Sequence, residues 1–429
     1  MIRRSTSRVF YGYWMVAAAF GVQLITAGLL MQSYGAYVAV LQEQKGWSRT
    51  ALSGAFSLTQ FVSGIVGPFQ GVVMDRIGPR AVMRVGFVIF GIGFMLLSQV
   101  DSLAGFYGAF VILAFGFALS AFFPLTVALV NWFERKRSRV LSTMSLGFAV
   151  GGLIVPLVAL SLEEFGWRNT AFASGVVMIV AGVPLASVMR RRPEDYGEVV
   201  DGIRSRPPIE RPEAVQPVHR PQRDFTAREA IRTPAFWLIS FGHGSALLVV
   251  GAVSVHVISH LKEDLGYSVG SASLVVTLMT MMQVIGMLIG GAIGDRYDKR
   301  MICAVCMLMH MAGMLLVTYA TGLGMIGAFA VLHGLAWGIR GPLMQAIRAD
   351  YFGRSSFGTI MGISTTVIMV GQIAGPLVAG IMADATGDYV AGFTILAVLS
   401  GFGSAFFVFA RRPALPEHQA LSERAAEPA

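Results

Sequence analysis

Charge is what this chain has least of. Of its 429 residues only 13% are Asp, Glu, Lys or Arg, while 55% are apolar. A soluble domain carries about 25% charged residues, so the composition excludes an ordinary soluble globule and indicates a chain built for lipid. Cysteine is almost absent. Cys303 and Cys306 fall in one apolar run, so no disulfide framework is implied. The polar stretches contain no Gly-rich phosphate loop, nucleophile elbow or paired carboxylates, which argues against ATP-driven pumping and against an enzyme. Acidic residues are missing from the apolar runs. The formal net charge of +9 is not a nucleic-acid signal, because the basic residues lie in the short gaps between those runs.

Twelve such runs are present, each near the roughly 20 residues a spanning helix needs. They cover approximately 11–33, 51–72, 81–99, 104–130, 140–161, 168–189, 235–259, 269–293, 301–320, 323–347, 357–383 and 389–410. The first run is too long for a signal-peptide core and is read as a retained span. Of the 33 Lys and Arg, 28 fall in one alternating set of connections and only Lys45, Arg49, Arg168 and Lys262 in the other. That asymmetry predicts a multi-pass inner (plasma) membrane protein with both termini cytoplasmic. Tyr11, Tyr13 and Trp14 suit an interfacial belt at the start of the first span.

A repeat divides the chain. Gly71, Asp75, Arg76, Gly78 and Arg80, in GVVMDRIGPR, recur 220 residues later as Gly291, Asp295, Arg296 and Arg300, in GAIGDRYDKR. At the same offset Ser142, Gly151 and Pro156 are matched by Gly362, Gly371 and Pro376. Between the copies lies a Pro- and Arg-rich stretch that reads as a tether with little fixed structure. The expected organisation is an all-α membrane protein of two pseudo-symmetric six-helix halves, 1–190 and 234–412. A cytoplasmic linker, 191–233, joins them, and a cytoplasmic tail, 413–429, follows.

The single Lys or Arg placed at membrane depth by this reading is Arg340, in the tenth run. A cation there costs about 2.5–3.5 kcal/mol on insertion scales and marks a site by default. His333, Trp337 and Arg340 are spaced i, i+4, i+7, so one helix face presents a titratable ring, an aromatic wall and a guanidinium able to grip a carboxylate. The competing reading of that face is helix packing. Gln32, Tyr34, Tyr37, Asn131 and Gln283 are candidate neutral donors to a substrate, with helix–helix hydrogen bonding an equal alternative. His256 and His260, one turn apart near the end of the seventh run, join His333 as candidates for a proton-linked role, and His243 is a weaker one. Cys303, Cys306 and His310 follow CxxC-x3-H, but on an apolar helix rich in Met they read as filler, so neither metal nor cofactor is expected.

The GxxxDRxGxR motif after the second span, its degenerate copy after the eighth, the twelve spans and the central linker together resemble the major facilitator superfamily. That resemblance implies alternating access, with substrate held at the bilayer midplane between the halves and the two motif loops acting as a gating latch. Within the superfamily the chain resembles the monocarboxylate porter branch and the related oxalate/formate-type antiporters. The resemblance rests on Tyr11-Gly12-Tyr13-Trp14, on Ser33 to Leu58, and on Trp132-Phe133-Glu134-Arg135-Lys136-Arg137 followed by Gly147 and Gly151. It is partial, since Arg139, Val140 and Ser142 stand where the branch has Leu, Ala and Gly. The branch's carboxylate-binding Arg in the eighth span is replaced by Met287, and its acidic partner by Gln283. Arg340 is then expected to supply the positive charge from across the cavity.

The expected function is secondary transport of a small organic anion, a monocarboxylate, by a carrier functional as a monomer in the lipid bilayer. Proton symport is what the family resemblance implies, and the lack of a buried carboxylate leaves exchange and uniport open. Gly362, Gly371, Gly375-Pro376 and Ala379-Gly380 resemble a Gly/Pro motif of superfamily drug antiporters, so a proton-coupled exporter of drugs or amphiphiles is the alternative. A non-transporting membrane sensor of the same fold is the second.

Overall fold

The computed structural model of the chain is helical throughout its described residues, 9–47, 49–202 and 224–414. The Pro- and Arg-rich centre of the expected linker and the tail beyond 414 lie outside them. Ten segments are long and apolar enough to cross a membrane. One of these, Arg137–Val188, contains two spans. Its helix is interrupted at Gly166, where φ of 78° and ψ of 160° lie in a region that essentially only glycine adopts. Arg49–Ile77, a less apolar helix of 29 residues, brings the total to twelve spans.

The first span starts at Gly12 and continues through a π-helical turn, Ala27–Met31, into Tyr34–Lys45. The third is Pro79–Leu97. The fourth is two helices, Leu103–Ser120 and Phe122–Trp132, parted by non-helical backbone at Ala121. Pro124 explains the break, because its ring excludes the carbonyl four residues earlier and it has no N–H to donate. The fifth and sixth spans lie either side of Gly166. In the second half the spans are Pro234–Glu263, Val269–Ile293, Lys299–Thr318, Leu323–Phe352, Phe357–Thr386 and Val390–Phe409.

Several helices run longer than their apolar runs suggest, because backbone hydrogen bonding continues past the apolar residues wherever a cap is supplied later. Thr233 accepts from Phe236 N with Pro234 in the first turn, and Asp298 accepts from Arg300 N at 2.9 Å. The tenth helix reaches Phe352, so Arg348 lies inside it and is 1% exposed. The sequence pattern, whose tenth apolar run ends at 347, places Arg348 in a solvated connection. A second buried arginine therefore joins Arg340.

The halves meet through an exchange of caps at the end of the bundle that carries the Arg-rich loops. Asp75, closing the second span, accepts from Gly358 N (3.1 Å), Thr359 N (2.9 Å) and Thr359 Oγ1 (2.7 Å) at the start of the eleventh. Asp295 accepts from Ser138 N (2.7 Å) and Arg139 N (3.2 Å) at the start of the fifth. The donor pairs are themselves 220 residues apart, so the sequence repeat becomes a reciprocal clasp, each carboxylate set against a helix N-terminus. Gly71 makes the close approach feasible, since a Cβ there would lie 2.2 Å from Gly358 O. Arg137 and Lys299 both reach Asp350, the latter at 2.7 Å, and Arg354 Nη1 donates to Asn131 O at 2.7 Å.

Candidate functional site

A cavity of about 360 Å³ lies between the halves, within the range of small-molecule sites. The broken fourth span turns Phe122 and Phe123 onto its wall, beside Phe117 and Phe148. Irregular backbone at membrane depth is tolerated where it lines such a cavity. The seventh span contributes His243, the eighth Gln283 and Met287, and the tenth Trp337, Arg340 and Gln345. Gln23, Gln70 and Gln372 add neutral amides from the first, second and eleventh. None of the described residues on the wall is Asp or Glu.

Arg340 is fully buried, and its Nε, Nη1 and Nη2 have no hydrogen-bond partner among the described residues. A guanidinium is a donor only, and leaving one desolvated and unpaired costs free energy that an anion would restore. Arg348, two turns on, is satisfied. It donates to Ser364 Oγ (3.1 Å), Met344 O (2.8 Å), Gln345 Oε1 (3.3 Å) and His243 Nδ1 (3.2 Å).

Four residues expected from sequence, Arg340, Trp337, Gln283 and the weaker candidate His243, come together on the wall. His333 stands behind it. Its Nδ1 lies 3.1 Å from His310 Nδ1 and both rings are buried, which places His310 in the same layer rather than with Cys303 and Cys306 alone. The remaining polar candidates lie off this wall. Gln32 donates to Phe148 O, beside the 3₁₀ turn Gly151–Ile154 of the fifth span, and Tyr34 donates to Leu52 O. Tyr37 is 4% exposed within the core of the N-terminal half. Asn131 is 6% exposed at the basic end, where its carbonyl accepts from Arg354. His256 Nε2 faces Pro376 O at 3.0 Å, and His260 is fixed between Asp264 (2.6 Å) and Val317 O (2.9 Å).

In the loop motifs Asp75 and Asp295 form the clasp, and Arg80 donates to Met189 O at 2.9 Å. Gly78 takes a positive φ of 85° ahead of Pro79. Arg76 and Arg296 are exposed, and Arg300 bonds Asp298 and Val408 O. A Cβ on Gly291 would lie 3.0 Å from that of Ser142. Gly362 abuts Gly67 of the opposite half, while Gly371 and Gly375 abut Gly244 and Leu248 of the seventh span. Close helix contact thus occupies the Gly/Pro motif of the eleventh span. Gln23, Gln70, Gln345, Gln372 and the wall's phenylalanines were missed from sequence, since Gln and Phe inside apolar runs look the same whether they face a cavity or a neighbouring helix.

The profile of the Major Facilitator Superfamily matches residues 9–257 and 239–429. An MFS transporter, asaE of Aspergillus flavus, is 26% identical over 417 residues, covering 94% of this chain and 86% of the relative. Monocarboxylate transporter 11 of Homo sapiens is 26% identical over 418 residues, covering 93% and 82%. Among solved structures, the proton:xylose symporter XylE superposes with a TM-score of 0.69 at 14% identity, over 96% of this chain and 99% of that one. That likeness bears on the fold alone.

Proposed function

The chain belongs to the Major Facilitator Superfamily, a family of multi-pass membrane transporters, and on that premise we propose that it carries a small organic anion, a monocarboxylate, by alternating access. One observation supports the reading most: a fully buried guanidinium with no partner among the described residues, on the wall of a cavity where none of them is acidic. A bidentate carboxylate is the complement of that group. The name of the human relative points to the same substrate class. Of the two buried arginines of the tenth span only Arg340 is unsatisfied among the described residues, all three nitrogens of Arg348 having partners, which suits one carboxylate better than a more highly charged anion. An amphiphilic ammonium compound, the cargo of the alternative exporter, would meet a cation and no counter-charge.

The Arg-rich end is assigned to the cytoplasm by its loop charges. The Asp75 and Asp295 clasp is the latch that holds that end closed, leaving the cavity to be loaded from the opposite side. Uptake of a radiolabelled monocarboxylate into liposomes containing the purified protein tests the reading. Wild type is expected to saturate, Arg340→Ala to be inactive, and Arg340→Lys to be strongly impaired because an ammonium lacks the planar fork. Undiminished uptake by Arg340→Ala would refute it. Binding without transport would support the sensor reading.

A further inference from the structure

Arg348 does not itself lie on the cavity wall, yet two of its four partners, His243 and Gln345, do. Since a guanidinium only donates, each partner must accept. Acceptance at Nδ1 puts the proton of His243 on Nε2, and acceptance at Oε1 turns the amide NH2 of Gln345 away from Arg348. With the ring and the amide in these orientations the proton positions follow from the donor-only guanidinium. A second proton on His243 would set N–H against the Nη2–H of Arg348. The charged groups acting on the ring, Arg348 and Arg340, both come from the tenth span. Ser364, on the eleventh span, holds Arg348 and also shares a 2.8 Å hydrogen bond with Ser240 of the seventh, so the geometry is fixed from three helices.

We propose that Arg348 is a positioning residue that makes its two partners on the wall present donors to the cavity, the neutral Nε2–H of His243 and the amide NH2 of Gln345, beside the Arg340 guanidinium. That face then favours a carboxylate that carries further acceptor oxygens, such as a 2-oxo acid, over the corresponding amino acid, whose ammonium meets donors and a cation there. The inference rests on the carboxylate reading of the cavity for its ligand class, but not for the state of His243.

The test uses full-length protein in detergent, labelled with nitrogen-15 histidine, with His243→Gln to assign the signal. In wild type the His243 ring is expected to stay neutral and Nε2-protonated between about pH 5.5 and 8. In Arg348→Gln it is expected to exchange tautomers and titrate, while the His260 signal, held by Asp264 and Val317 O, stays in place and reports an intact fold. Binding of 2-oxobutyrate is expected to be pH-independent in wild type, to become pH-dependent in Arg348→Gln, and to exceed that of 2-aminobutyrate by at least about tenfold in wild type. An Nδ1-protonated or doubly protonated His243 in wild type overturns the inference. So does an unchanged His243 signal in Arg348→Gln. Should Arg348→Gln not fold, the wild-type tautomer decides. A correct tautomer with no 2-oxobutyrate binding overturns the carboxylate reading instead and leaves the role of Arg348 standing.

Discussion

Replacing Arg340 by Met separates a binding arginine from a structural one, because the two roles predict opposite signs. Met keeps most of the side-chain volume, so the cavity wall is not collapsed. In the absence of anion the wild-type guanidinium is fully buried with three unpartnered nitrogens. Removing a cation at this depth relieves about 2.5–3.5 kcal/mol on insertion scales, so the variant is expected to unfold at the same or a higher temperature than wild type. With anion the order reverses. Two charge-assisted hydrogen bonds of about 1.5–3 kcal/mol each are lost, equivalent to at least about 100-fold in affinity. A monocarboxylate at about 100 times its dissociation constant stabilises wild type by about 2.7 kcal/mol. At that concentration the variant gains no more than about 0.4 kcal/mol. Thermal unfolding in detergent with and without 2-oxobutyrate reads both terms. A variant that melts well below wild type without anion would mean the arginine holds helices together, and one that keeps the full anion shift would mean the carboxylate sits elsewhere. Either result refutes the argument.

Two further outcomes follow from the fold. Asp75→Asn and Asp295→Asn each remove the charge set against a helix N-terminus, a loss of about 0.3–1 kcal/mol apiece. Thiol labelling of a cysteine placed on the cavity wall, by a reagent supplied at the Arg-rich end, should rise in each variant and rise further in the double variant, and unchanged labelling would remove the latch. Gly166→Ala forces a Cβ onto backbone at φ 78°, and should cost about 1–3 kcal/mol in thermal stability without altering anion affinity. An Ala variant as stable as wild type would show that the turn between the fifth and sixth spans tolerates another conformation.

Much of the architecture was legible from the chain alone. Twelve apolar runs, a 220-residue repeat and an uneven distribution of arginine are properties of composition and order, and lipid leaves helices as the simple way to satisfy so apolar a backbone. Arg340 was legible for the same reason, since a cation in an apolar run is anomalous before any neighbour is known. Trp337 came with it through helical spacing, and Gln283 through the family resemblance, which has an acidic residue at that position. The polar residues on the first and fourth spans did not, because a hydrogen-bonding side chain in a membrane helix reads the same whether its partner is a ligand or a carbonyl. Gln32 and Tyr34 turned out to bond carbonyls, and His260 an aspartate. Arg348 was misplaced because apolar length underestimates helix length, and its burial arises from packing against the seventh and eleventh spans. By itself the sequence determined that there are two like halves and one unneutralised cation between lipid-facing runs. Only the tertiary structure decided which donors share the cavity with that cation, because the direction of a hydrogen bond depends on its partner, and the partners here lie on helices more than 100 residues apart.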